Sequence, residues 1–408
     1  MKRIVFTLGL CLVTALSFGQ KKAVADALKL AKNSRPNFTE ARSKIKDALQ
    51  HPETKDDAKT WFTAGQIENL QFDNENIKQY QQLQPNEVVM YTALYQIYPY
   101  FSKAYELDIR PDAKGKVKPK FAKDMKAITR INLPYLMNGG IFYYEQQDFQ
   151  KAYEFFDQYV VITDSHLMTD GEPANTLAAA DSNYIYSNFY AAIAASTLDK
   201  ETAIKAMTRA SAIDYRRNEM LQYLAEAYNI AEDNANYEKT LAEGLALFPT
   251  EPYFLFNLIM IYIESERNDK ALEYVLMAVK LDPDNAQLCY LAGQVYEVGF
   301  NDFVKAEEYF IKSLELDSED AMTQFNLGRI YYNRGVEQLD VANEIADVKK
   351  YNEEKDKAKD FFRKSLPYLE KAFELNPESM ETIIPLRNIY YNLDMGDKLE
   401  KIEKLLGE

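Results

Sequence analysis

The chain has 408 residues and a formal net charge of −15, from 48 Lys and Arg against 63 Asp and Glu. Such a surface repels phosphate backbones, which argues against nucleic-acid binding, and as a whole it is a poor match to an anionic membrane face. A hydrophobic fraction of 47% is enough to build a core, while only 14 Gly and 14 Pro fit a helix-rich protein with short connections rather than a disordered chain.

Residues 1–19 have the pattern of a secretory signal peptide. Lys2 and Arg3 form a charged start, residues 4–15 are an apolar run, and residues 17–19 carry small residues near the expected cleavage site. The run is too short for a bilayer span, which takes about 20 residues. Cleavage before Gln20 would leave no transmembrane segment, and the protein would be exported through the general secretory route.

Few residues of this chain suit catalysis or metal binding. Cys11 lies inside the apolar run and follows Leu10, where lipidation would require a small residue. The remaining cysteine, Cys289, has no partner for an intrachain disulfide and is predicted to be a buried structural thiol. The two histidines, His51 and His166, are far apart and belong to no metal-binding motif. We therefore predict no catalytic residue, no metal and no cofactor, and a protein that is not an enzyme.

The region from residue 20 to 217 is predicted to form divergent helix hairpins with two insertions. The first insertion, near residues 70–99, holds a glutamine-rich patch that either lengthens the helices or forms a loop. The second, near residues 163–183, contains the turn-forming residues 170–173 and is interpreted as a surface loop.

Regular repeats follow from residue 218. The 34 residues from Pro252 to Asn285 place two large residues, two small residues and a proline at fixed intervals. Parts of this pattern recur in the units beginning at Asn218, Ala286 and Ala321. The recurring residues of the clearest unit are Leu258, Tyr262, Ala271, Ala278 and Pro283. Small residues let two helices approach closely, and the proline ends the second helix.

This spacing resembles the tetratricopeptide repeat, and the resemblance covers most of the chain after the signal peptide. It implies an all-α fold, a right-handed superhelical solenoid of helix hairpins. The regular units span residues 218–378, including an overlong hairpin at 321–378 with about 25 residues more than the pattern needs, and residues 379–408 are predicted to be capping helices.

The resemblance also implies a binding surface, because the first helices of such hairpins line a concave groove. Asn257 and Asn326 occupy a position where family members can hold a ligand backbone, although Asn is also simply the consensus there. A carboxylate clamp is absent, because its position carries aromatic residues. The predicted groove residues are Tyr253, Phe256, Asn257, Met260, Tyr290, Gln294, Phe325, Asn326, Arg329 and Tyr332.

Together these observations predict a non-catalytic scaffold in the bacterial cell envelope, periplasmic or outer-membrane-associated, that binds a protein or peptide partner in the groove. The alternative is an outer-membrane-associated glycan-binding protein of a nutrient-uptake system, in which groove aromatics would stack on sugars. One basic stretch stands out, and it is either a solvated linker or a docking patch for an acidic partner or anionic lipid: Lys114, Lys116, Lys118, Lys120, Lys123 and Lys126.

Overall fold

The computed structural model describes residues 20–169 and 181–406. The predicted signal peptide and most of the predicted 163–183 loop lie outside these ranges. Within them the chain is helical and contains no strand, and it divides between Asn234 and Ala235 into two compact units.

The first unit consists of consecutive helices that pack as hairpins. The long pair α3 and α4 takes up the glutamine-rich segment and turns at residues 81–86. The helices are α1 (20–31), α2 (Phe38–Gln50), α3 (Ala58–Tyr80), α4 (Glu87–Asp108), α5 (Ala122–Glu145), α6 (Phe149–Thr163), α7 (His166–Thr169), α8 (Ser182–Ala195), α9 (Lys200–Ser211) and α10 (Arg217–Ile230).

The second unit is also built of consecutive helices. Its longest pair, α16 and α17, forms the overlong hairpin, and α17 runs through Pro367 without interruption. The helices are α11 (Asn234–Leu247), α12 (Pro252–Glu264), α13 (Asn268–Leu281), α14 (Ala286–Gln294), α15 (Phe303–Leu316), α16 (Ala321–Asn343), α17 (Val348–Leu375), α18 (Met380–Asn392) and α19 (Gly396–Leu406).

Close approach within the hairpins depends on small residues facing aromatic ones. A Cβ added to Gly293 would lie 2.6 Å from ring atoms of the fully buried Phe310, and one added to Gly140 would lie 2.4 Å from the ring of Phe156. The glycines of the repeat therefore make room for the rings that fill the space between the helices.

The turns within hairpins share a backbone conformation. Glu266, Asn301 and Asp394, each between the two helices of a hairpin, have φ values of 55°, 53° and 59°. Several helices begin after a residue whose side chain caps their N-terminus. At the start of α15, for example, the Asp302 carboxylate accepts a hydrogen bond from the backbone N–H of Lys305 at 3.0 Å. After α14 the chain forms a π-helical turn, Val295–Gly299, in the unit that has one residue more than the repeat requires.

Candidate functional site

The predicted groove residues lie on α12, α14 and α16, the first helices of three successive hairpins in the second unit. They differ in exposure. Phe256 is exposed, whereas Tyr290 and Asn326 are only 9% and 7% exposed. The other predicted residues are half-buried: Tyr253, Asn257, Met260, Gln294, Phe325, Arg329 and Tyr332.

Tyr290 and Asn326 correct the expectation of an open, aromatic groove surface at their positions. The ring of Tyr290 packs beside Phe310, 5.8 Å between centroids. Its hydroxyl accepts from the amide of Gln294 at 2.8 Å and from that of Asn326 at 3.3 Å. Burying a phenol requires such partners, so this residue joins α14 to α16 and is not available to a ligand.

Asn257 is also engaged within the protein. Its amide donates to the backbone carbonyl of Tyr253 at 2.8 Å, and its carbonyl accepts from the hydroxyl of Tyr237 at 3.0 Å. Of the two roles left open for this repeat position, the geometry favours the structural one at both Asn257 and Asn326.

Arg329 completes a partly buried polar cluster. Its guanidinium contacts Glu297 at 2.8 Å and Asn326 at 3.3 Å. The Glu297 side chain is 7% exposed, and burial raises its pKa, an effect that the charge and hydrogen bond of Arg329 oppose. The cluster links the π-turn to α16 and is stabilised mainly by contacts inside the chain.

Phe325 and Tyr332 pack toward the C-terminal core. The Tyr332 ring lies 6.0 Å from that of Phe362, and its hydroxyl accepts from the amide of Asn388 at 2.8 Å. Phe325 belongs to the same core cluster. Both residues therefore tie α16 to the following helices.

The exposed part of the predicted surface adjoins an apolar pocket of about 310 Å³, which we call the edge pocket. Leu255, Ile259 and Leu288 form its buried wall, and Phe256 and Leu281 are its exposed rim, 38% and 56% accessible. The rim is completed by the connections around α12–α14: Pro249, Thr250, Glu251, Pro252, Asp282 and Asn285. Sequence reasoning identified Phe256 but not Leu281, whose only indication was an apolar residue at the end of α13.

An acidic depression of about 640 Å³ continues from the edge pocket and shares Asp282 and Asn285 with it. Its other lining residues are Asp284, Ala286, Gln287, Asp317, Glu319 and Asp320. No lysine or arginine lines this depression, although Lys371 contacts Glu319 at 3.1 Å. Apolar and negatively charged surfaces therefore lie side by side.

The first unit has a different surface, a tyrosine-lined cleft along α4. Two connected depressions of about 670 and 450 Å³ share Tyr98, Ser102 and Glu106. His166 lines the larger of them beside Asp164, and Tyr153 lines the smaller.

Other chemical features are few in the parts of the chain that the structure describes. No group of three or more His, Cys, Asp or Glu side chains there is arranged to hold a metal ion. Cys289 is fully buried, and burial raises the pKa of its thiol. Among residues 20–169 and 181–406, none of the helices combines the length and apolar character needed to cross a bilayer.

One hairpin is recognised by comparison with known families. Residues 286–320, which contain α14 and α15, match the family model described as tetratricopeptide repeat. The two units before it, residues 218–251 and 252–285, have the 34-residue spacing of the repeat. The chain therefore contains a tetratricopeptide repeat, and its neighbouring hairpins resemble that repeat. Repeats of this kind stack into solenoids with extended binding surfaces.

Similar solved structures include MamA from Desulfovibrio magneticus RS-1, with 16% identity, 48% of this chain and 97% of that chain covered, and a TM-score of 0.36. A tetratricopeptide-repeat protein from Bacteroides fragilis has 19% identity, with 64% and 98% covered and a TM-score of 0.30. No curated protein matches the chain in sequence.

Proposed function

We propose that this protein is a non-catalytic scaffold of the bacterial cell envelope that binds an extended segment of a partner protein at the edge pocket. The observation that carries the proposal is the accessible apolar rim of Phe256 and Leu281 above a preformed pocket. Its volume is at the lower end of the range for ligand sites, which suits one or two side chains of a peptide better than a whole cofactor.

The acidic depression indicates the chemistry of that segment. A chain that inserts an apolar side chain between Phe256 and Leu281 would extend over Asp282 and Asp284. Their charges favour Lys or Arg next to the apolar anchor, and long-range attraction would also speed the encounter. The partner segment is therefore apolar at one position and basic beside it.

A capture experiment tests the scaffold role. The protein is crosslinked in its native envelope, recovered by affinity, and its partners are identified by mass spectrometry. Leu281→Asp should reduce recovery of the partner, because it places a charge where the apolar anchor binds. The matched control is Leu405→Asp, at another exposed leucine, in α19.

Peptide selection tests the proposed chemistry separately. Peptides selected on the purified protein from a random displayed library should pair an apolar residue with nearby Lys or Arg, and Phe256→Ala should weaken them about tenfold or more. Equal binding by the parent and Phe256→Ala would exclude the edge pocket as the site. Export is tested by sequencing the N-terminus of the envelope form, which should begin at Gln20.

The tyrosine-lined cleft favours the alternative of glycan binding, because aromatic faces beside carboxylates suit sugars. Binding on a glycan array that is lost in Tyr98→Ala and kept in Leu281→Asp would support that function. An array without hits would leave the scaffold role as the single proposal.

A further inference from the structure

The connection between α4 and α5, residues 109–121, is strongly basic in an acidic protein, and we call it the lysine loop. Residues 110–130 contain eight Lys and Arg against two Asp. All residues from 109 to 120 are exposed. The loop carries Lys114, Lys116, Lys118 and Lys120.

These four lysines make no ion pair within the described part of the chain, although the protein has an excess of carboxylates. The neighbouring helix end behaves differently, because Lys103 and Arg110 both contact Glu106 at 2.7 Å. The positive charge of the loop is thus not neutralised by the protein's own acids and remains available to an external anion.

The first half of the loop has a defined shape. The Asp112 carboxylate accepts from the backbone N–H of Lys114 at 2.8 Å and of Lys116 at 2.9 Å. Gly115, between them, has φ of +74°, which a residue with a side chain rarely adopts. Both bonds are accepted by Oδ1 of Asp112, which thereby holds a tight turn that leaves both lysine side chains in solvent.

The second half is fixed to the core. The Asp108 carboxylate accepts from the backbone N–H groups of Lys120, Phe121 and Ala122 at 2.7–3.0 Å. The Phe121 ring stacks on Phe62 with 4.8 Å between centroids. Because both ends are anchored, binding through the lysines would cost little backbone ordering.

The composition of the loop distinguishes a lipid surface from an acidic protein. The planar guanidinium of arginine can donate two parallel hydrogen bonds to a protein carboxylate, so an acidic protein partner would favour arginine. Arg110 is the one arginine of the loop, and it contacts Glu106. Flexible lysine charges suit phosphates that move in the membrane plane, and each Lys near an anionic lipid surface contributes about 1 kcal/mol of attraction. Val117 is half exposed between Lys116 and Lys118, where it can enter the headgroup region.

We propose that the lysine loop docks the protein onto an anionic lipid bilayer. The four lysines lie over lipid phosphates, and Val117 lies at headgroup level. The remaining acidic surface is repelled by the bilayer, which confines the contact to this loop. This inference does not depend on the edge pocket or on its partner.

Sedimentation with vesicles tests the proposal. The purified protein is mixed with vesicles of phosphatidylcholine or of phosphatidylcholine with phosphatidylglycerol. Replacing the four loop lysines by Gln should lower partitioning to anionic vesicles by about two to three orders of magnitude, at roughly fivefold per lysine. The control has the same charge change elsewhere and should bind like the parent: Gln at Lys349, Lys350, Lys357 and Lys404.

Raising the salt concentration should release the parent protein, because the attraction is screened. Val117→Trp should show a blue shift in fluorescence on anionic vesicles alone, against the common background of Trp61. Any affinity of apolar residues 4–15 for lipid is the same in all variants and cancels in the comparison.

Three results would overturn the proposal: equal partitioning to neutral and anionic vesicles, equal loss in the loop variant and the control, or no binding to vesicles with tight binding to polyglutamate. The last would assign the loop to an acidic protein instead.

Discussion

The ion pair between the buried Glu297 and the half-buried Arg329 gives a quantitative test of whether a predicted groove residue is structural. Arg329→Met keeps the packing of the aliphatic part of the side chain. It removes the charge that contacts Glu297 at 2.8 Å. Removing one member of a buried ion pair costs about 3–5 kcal/mol. Because the Arg329 side chain is 35% exposed, solvent weakens the pair, and we expect a value between those of exposed and buried pairs, about 2 kcal/mol.

The pH dependence of this loss has a defined sign. Burial raises the folded-state pKa of Glu297, and Arg329 opposes that rise. Without Arg329 the pKa rises further. A carboxyl whose pKa is raised by folding favours the folded state below its unfolded pKa, and that contribution is lost as pH rises through the folded pKa. The deficit of Arg329→Met should therefore be larger near pH 8 than near pH 5.

Urea unfolding of the full chain, followed by circular dichroism at the two pH values, measures this deficit. Adding Glu297→Gln to Arg329→Met removes the unpaired charge and should recover most of the lost stability. The reasoning is refuted by a deficit that does not change with pH, or by a double variant no more stable than Arg329→Met.

Two further predictions concern packing. Gly293→Val should destabilise the protein by about 1–3 kcal/mol, because the new side chain overlaps the ring of Phe310, whereas Gly396→Ala, with no atom within 4 Å of the added Cβ, should leave the melting temperature unchanged or slightly higher. An unchanged melting temperature for Gly293→Val would show that α14 and α15 can move apart without loss of stability. Cys289 should resist iodoacetamide in the folded protein and react in urea, since burial shields the thiol and raises its pKa; rapid alkylation of the native chain would contradict that burial.

Much of the fold follows from the sequence because its determinants are local. The interval between Tyr262, Ala271 and Ala278 predicts two helices with small residues at their contact, and Ala271 and Ala278 are buried as that contact requires. The proline and aspartate residues at the helix ends likewise act within a few residues of themselves. Such features can be inferred from spacing, since helical periodicity fixes which residues share a face.

The binding surface was less predictable, as three residues at the same repeat position show. Phe256 is exposed, Tyr290 is buried and Phe325 is half-buried against the C-terminal core. Their helical register is equivalent. Their exposure differs because the next hairpin supplies Asn326 as a partner for the Tyr290 hydroxyl, while the helices after α16 cover Phe325.

The sequence by itself determined the repeat, the helix boundaries in outline and the scarcity of groups suited to catalysis. Tertiary structure alone decided which aromatic residues face solvent, and it brought Leu281 beside Phe256 to form the edge pocket. It also showed that Asp108 and Asp112 hold the lysine loop in shape. The physical reason is that a side chain's exposure depends on neighbours contributed by other hairpins, and periodicity within one hairpin carries no information about them.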